Sequence, residues 1–393
     1  MKQHPHWSQA LPRRRRVDLS LFFMVSLLLY LAAGDTQVSA QQSDWSQTGS
    51  LAQRRSLHTA TLLENGKVLV VGGFIQISPC CTVTASAELY DPSTGTWAAT
   101  TSPASARANH IAVRLPDGRV LVAGGNGDPF GVVLANAEIY DPAGATWSPA
   151  GSMGVSRQSA KGVLLTNGRV LVAGGVSRDS ADMYDPFTNS WSPAGFLGAP
   201  RVLHTLTALP DGRAILAGGT TGAPALRVAQ LFNPETASWS QTADLLQGRV
   251  AHAATLLIDG RVLVSGGSGE GNVFLATAEI YSPATGLWSS TGSMNTPRTL
   301  HRLTTLLNGR ALATGGGSSD SGPRLRSAEL YDPDSRSWTL TPEMNEGRLN
   351  HTATLLYGGR VLIAGGTGDG GQLASAELYT SPPVPRRLRS RRR

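Results

Sequence analysis

An Arg-x-x-His phrase recurs six times in this chain of 393 residues, at Arg55/His58, Arg107/His110, Arg201/His204, Arg249/His252, Arg298/His301 and Arg348/His351. A further copy keeps Arg157 but has Ala160 in the histidine position. Repeated guanidinium groups point to chemistry with carboxylates or other anions, because each presents a planar fork of donors. Downstream of each Arg stands an acid (Glu88, Glu138, Asp182, Glu279, Glu329, Glu377), except after Arg201, where Gln230 replaces it. Two readings are open. In one, Arg and His bond backbone or the recurrent acid in the same or the next repeat, as buried polar groups do. In the other, several of the seven arginines face a ligand as an anion-binding ring, and Ala160 and Gln230 open an asymmetric pocket in it.

A second set of candidates lies in the variable segments after seven Gly-Gly pairs. Asp128, Asp179, Glu270, Asp320 and Asp369 supply acids there, Arg227 replaces the acid in the fourth, and Arg324 and Arg326 join the sixth. Phe74, Phe130 and Phe274 add apolar contact, while Trp and Tyr are absent, which argues against a sugar-stacking platform. Gly368-Asp369-Gly370-Gly371 has oxygen ligands of the kind Ca²⁺ takes, but no full ligand series accompanies it. The two cysteines, Cys80 and Cys81, are adjacent and build neither a disulfide framework nor a zinc spacing. No Ser/His/Asp arrangement, nucleotide loop or catalytic carboxylate pair can be singled out, so neither an enzyme nor a cofactor is expected.

The elements that must position these residues are legible from the repeat itself. The diglycines begin at Gly72, Gly124, Gly174, Gly218, Gly266, Gly315 and Gly365, spaced 52, 50, 44, 48, 49 and 50 residues apart. Within one unit, His110 to Leu115 alternates as a strand, and Asp117-Gly118 predicts a hairpin with positive φ at both turn positions. Arg119 to Ala123 is the second strand, ended by glycines where a Cβ is not tolerated or φ is positive. Asn136 to Tyr140 is the third, Asp141-Pro142 a tight turn, and Trp147 lies on the fourth. One such sheet buries too little alone, and seven in a ring cover each other's faces. The fold class is therefore all-β: a seven-bladed β-propeller with four antiparallel strands per blade. The seventh unit lacks its Trp, whereas Trp45-Ser46-Gln47 precedes the first unit with no strands before it. The N-terminal strand around Trp45 is expected to close the last blade.

The order apolar run, Gly-Gly, Glu-x-Tyr and Trp resembles the kelch repeat, over roughly residues 45–380. Two copies depart from it, with Asp182-x-Tyr184 and Gln230-x-Phe232. The resemblance implies a propeller whose first strands line a central channel, with the Arg phrase and the post-diglycine loops on one face. It extends to galactose-oxidase-like copper enzymes, but the Tyr-His tandem that supplies two of their ligands is missing here. It extends also to kelch-type sialic acid mutarotases, which implies a channel-mouth Arg with a Glu or His, and six near-equal copies single out none. Related propellers commonly serve as protein-interaction platforms. The expected function is a binding module for a protein or polysaccharide ligand, the alternative a small-sugar enzyme at the channel mouth.

The net charge of +7 is carried by the two ends. Residues 41–382 hold 23 basic and 25 acidic side chains, which argues against a nucleic-acid partner. Arg13–Arg16, the apolar run Leu19–Ala33 and Val38-Ser39-Ala40 read as a secretory signal peptide over 1–40, implying a secreted or periplasmic protein with no membrane span after cleavage. Residues 383–393 read as a basic, solvated tail, and a monomer is expected. The scarcity of lysine, three against 31 arginines, reads as a compositional habit.

Overall fold

The seven Asn-Gly, Asp-Gly or Gly-Gly pairs do make hairpins, but of another kind than expected. In the computed structural model, which describes residues 45–76, 82–128, 131–222, 224–319 and 322–382, only the glycine of each pair has positive φ, as at Gly66 (+83°) and Gly118 (+85°). Gly66 N–H donates to the Leu63 carbonyl and Leu63 N–H to the Lys67 carbonyl. This is a three-residue loop, a type I turn followed by a left-handed glycine. The Asn or Asp side chain holds it, Asn65 Oδ1 accepting from Lys67 N at 3.1 Å and Asp117 Oδ1 from Arg119 N at 3.1 Å. The Asp-Pro turns behave as read, with Asp91 Oδ1 accepting from Ser93 N and Asp141 Oδ1 from Ala143 N.

These hairpins build seven four-stranded antiparallel sheets. In the first, the order from channel to rim is Thr59–Leu62, Val68–Val71, Ala87–Asp91 and Thr96–Thr100. The second strands, Val68–Val71, Val120–Ala123, Val170–Ala173, Ala214–Ala217, Val262–Ser265, Ala311–Thr314 and Val361–Ala364, are buried at every residue. Their near-continuous apolar runs follow from this, since neighbouring blades cover both faces. The core is accordingly a set of layers between blades. Val68, Val70 and Tyr90 of blade one pack with Leu362, Ala364 and Leu378 of blade seven.

Closure follows the expected route. Trp45–Gln47 pairs antiparallel with Ala376–Tyr379 in the register Trp45↔Tyr379 and Gln47↔Glu377, as the outer strand of blade seven. Trp45 stacks on Tyr379 with centroids 5.0 Å apart, as Trp97 does on Tyr90 and Trp147 on Tyr140 in their own blades. Such pairs contribute about 0.5–1.5 kcal/mol each beyond their burial. Trp45 Nε1 also donates to the Pro342 carbonyl of blade six at 2.7 Å, so the strand is anchored sideways as well.

The chain divides into two compact units, Met1–Gln42 and Ser43–Arg393, and the described residues belong to the second. The signal segment 1–40, Cys80 and Cys81, Phe130, Asp320 and the tail 383–393 lie outside the described residues. No helix among those described is long and apolar enough to cross a membrane.

Candidate functional site

The diglycines explain why the Arg phrase recurs. The N–H of each second glycine donates to the carbonyl of the next blade's Arg: Gly73 to Arg107, Gly125 to Arg157 and so on to Gly366, which reaches Arg55 and closes the circle at 2.8 Å. The first glycine has φ near +60° and faces the same neighbour; a Cβ on Gly365 would lie 2.7 Å from both the Arg55 carbonyl oxygen and His58 Cε1. Only glycine satisfies both conditions.

The arginine side chains turn into the protein, not toward the channel mouth. Arg55, Arg107, Arg157, Arg249, Arg298 and Arg348 are fully buried, each paired with its recurrent acid at 2.7–2.9 Å: Glu88, Glu138, Asp182, Glu279, Glu329 and Glu377. Each also bonds the carbonyl of the first diglycine residue in its own blade, as Arg55 Nη1 does with Gly72 at 2.7 Å. The acid in turn accepts backbone N–H groups of the loop entering the blade, such as Ala52 N to Glu88 at 2.7 Å. Of the two readings of the phrase, the bonded one describes these six blades. A ring of guanidinium groups open to a ligand is corrected to a ring of internal clamps, because burial of an Arg is tolerated only with a counter-charge and filled hydrogen bonds.

Blade four is the exception. Arg201 is 3% exposed, bonds only the Val228 carbonyl at 3.3 Å, and has an unpartnered Nε. Burial lowers its pKa to about 10, opposed only by Asp244. Gln230 occupies the register position of the acid, opposite Leu216 as Glu88 is opposite Val70, and its Oε1 is also unpartnered. Replacing Gln230 by Glu is expected to supply the missing carboxylate and raise stability by about 1 kcal/mol. Chemical denaturation checks this, and a loss of stability would show that Arg201 cannot use an acid there.

The histidines, not the arginines of the phrase, line the channel, five of the six bordering its cavity. Their rings stitch adjacent blades, His110 Nε2 with Thr59 Oγ1 at 2.8 Å, His252 Nε2 with Thr205 Oγ1 at 3.0 Å and His58 Nε2 with Thr352 Oγ1 at 3.2 Å. His301 and His351 reach instead Ser265 Oγ at 3.0 Å and Thr314 Oγ1 at 2.9 Å on the preceding blade's second strand. Burial pushes all six rings below the ordinary histidine range, His204 and His301 to about 3. They are neutral at neutral pH and do not attract anions.

Just above them runs a ring of seven left-handed residues, Leu57, Asn109, Ser159, Leu203, Ala251, Leu300 and Asn350, with φ between +53° and +57°. Each N–H donates to the carbonyl of the preceding blade's member, at 2.9–3.3 Å, in six of seven places. The missing bond is from Leu203 to Ser159, between blades three and four.

Two cations escaped the sequence reading. Lys161 and Arg302 are the first residues of innermost strands, one place after the histidine position, and project with that ring of residues into the central cavity of about 390 Å³. The signal was available: the other five copies have Thr59, Ile111, Thr205, Ala253 and Thr352 at this position.

The loop candidates lie on the same face as this mouth, since bridges such as Ser56↔Phe74, Ala108↔Asn126 and Val250↔Ser268 join the residue after the Arg to the start of the post-diglycine loop. Asp128, Arg227, Glu270 and Asp369 are exposed and Asp179 half-buried, one in each of five blades, so the fold distributes them around the rim. Arg227 Nε bonds the Leu245 carbonyl, and Asp369 Oδ1 accepts from Arg324 N, both at 2.8 Å. Phe74 is buried with Val83 and Ala108 and serves packing, while Phe274 is half-buried. Among the described residues no three His, Cys, Asp or Glu side chains gather to hold a metal ion.

A family model described as Kelch motif matches residues 54–103, 108–154, 249–295 and 299–345. No curated protein matches the chain. A solved structure similar to it is that of a fungal alcohol oxidase with catalytic diversity among the AA5 family, in complex with copper. The two share 18% identity and a TM-score of 0.69, over 87% of this chain and 76% of that one. At that identity the likeness is one of fold. Seven four-stranded blades and a ring closed by the N-terminal strand make this chain a seven-bladed β-propeller, and four of its repeats carry matched kelch motifs.

Proposed function

We propose that this propeller is a binding module, exported from the cytoplasm and acting as a single chain, that presents its post-diglycine rim to a protein or polysaccharide ligand. The observation that carries the reading is the consumption of the recurrent chemistry by the scaffold: six of the seven repeat arginines are buried in ion pairs with their acid. What remains outward on this face is a mixed surface of the kind used in recognition, with Val132, Val176 and Val273 exposed beside Asp128, Arg227, Glu270 and Asp369. Variable loops on a rigid frame suit that role. A small-sugar enzyme at the mouth is the second reading, favoured by blade four, where Arg201 lacks an acid and the His204 ring has no side-chain partner.

The test is a binding screen of the full chain against polysaccharides and candidate proteins, repeated with Val176→Asp and Asp369→Lys. For a rim ligand, affinity is expected to fall about tenfold or more, the size of one lost interfacial contact of ~1.4 kcal/mol, at unchanged melting temperature. A ligand that both variants bind as well as wild type would remove the rim from the account. Turnover of a sugar would replace this reading with the second.

A further inference from the structure

The central cavity contains two cations and no acid. Lys161 and Arg302 both line it, and none of its lining residues is an Asp or Glu. The Lys161 ammonium makes no ion pair or hydrogen bond with a described residue. Arg302 donates Nε to the His351 carbonyl at 2.6 Å, and its Nη groups make no hydrogen bond or ion pair with a described residue. Burial, and then Arg302, bring the pKa of Lys161 down to about 8, and burial lowers that of Arg302. Of the seven buried repeat arginines, by contrast, six have their acid and Arg201 has the nearby Asp244. Here two positive charges share one concave, protein-walled space and oppose each other, which concentrates anions. The break in the mouth ring adds a third feature: Leu203, one of the residues lining the cavity, has an N–H with no backbone acceptor among the described residues. The hydroxyls of Thr59, Thr205 and Thr352 are already engaged by histidines, and the polar side chains of Asn109, Ser159 and Asn350 complete the lining.

We propose that the central channel is a binding site for a small oxyanion, a phosphate-type or carboxylate group held by Lys161 and Arg302, with the Leu203 N–H as a further donor. The two charges divide the work. The Nη groups of Arg302 supply a directional fork, and Lys161 a mobile point charge. Bound anion relieves the repulsion between them. The site is independent of the rim reading, since it uses no loop side chain.

Titration calorimetry of the full chain, at fixed ionic strength in chloride, with inorganic phosphate, sulfate and succinate, tests this. Saturable binding is expected, weakened about tenfold or more in K161Q or R302Q through loss of one charge-assisted contact. Affinity is also expected to fall as pH rises through about 8, as Lys161, faced by the Arg302 guanidinium and the neutral His204 and His252, discharges. Binding of phosphate and sulfate but not succinate identifies a phosphate-type ligand, and the reverse a carboxylate. The rim variant D369K should bind as wild type, which separates this site from the loop surface. Absence of saturable binding by all three anions, or wild-type affinity in K161Q, overturns the proposal. K161Q decides alone if R302Q does not fold, because Lys161 has no partner whose loss could unfold the blade.

Discussion

Glu329→Ala is expected to destabilise the protein by about 3–5 kcal/mol, the cost of leaving one member of a buried ion pair uncompensated. Glu329 and Arg298 are both wholly buried. The carboxylate accepts from Arg298 Nη2 at 2.9 Å, Asn295 N at 2.7 Å, Asn295 Nδ2 at 2.8 Å and Thr296 N at 3.1 Å. Its removal strands a guanidinium and frees the loop that enters blade six. Denaturant unfolding measures the loss, and a change below about 1 kcal/mol would show that the pair is not the clamp described here. The double variant Arg298→Met/Glu329→Leu should recover much of the loss, because the larger share comes from the orphaned charge. By contrast Arg213→Ala, at the exposed Arg213–Asp211 pair, should cost at most about 1 kcal/mol.

Acid should unfold this protein at a milder pH than carboxylate protonation alone would require. Six neutral histidines, His58, His110, His204, His252, His301 and His351, sit in or behind the channel wall with pKa values pushed down by burial and then by neighbouring cations. As pH falls past about 6.5, the ordinary histidine value, the unfolded chain takes up protons that the folded one refuses. The unfolded state then binds more protons, so stability rises with pH: it is complete above about 6.5 and lost progressively below it. For His204 and His301 the loss levels off near 3, where the folded rings also charge. The slope approaches ~1.4 kcal/mol per pH unit for each fully discriminated ring, so several rings together produce a steep fall between pH 6 and 4. Unfolding free energy measured at pH 8, 7, 6 and 5 tests this. A flat profile from 7 to 5 would mean that the rings charge in place, and His301→Gln should reduce the slope by one proton.

Much of the architecture could be read in the chain because it is locally encoded. Blade number, strand order, the Asp-Pro turns, the glycine requirement and the closure through Trp45 all follow from short-range patterns of period two and from turn residues, repeated often enough to average out exceptions. The hairpin type was misread, since Asn and Asp support such a turn either by occupying a left-handed position or by accepting the N–H of the residue after a left-handed glycine, and sequence does not distinguish the two. The direction of the arginines lay further out of reach. An Arg at the start of a strand can point to the channel or between blades, and what decides is whether an acid from the third strand and a glycine carbonyl stand within reach, a question of packing.

The sequence by itself determined a ring of seven blades and which residue types recur in every one of them. Only the tertiary structure decided which recurrences are internal clamps and which departures matter. Lys161 and Arg302 are 141 positions apart and share no motif. Closure of the ring puts them into one cavity, beside the place where the mouth's hydrogen-bond circle is broken, because rotation about the propeller axis brings equivalent positions of distant blades to the same channel.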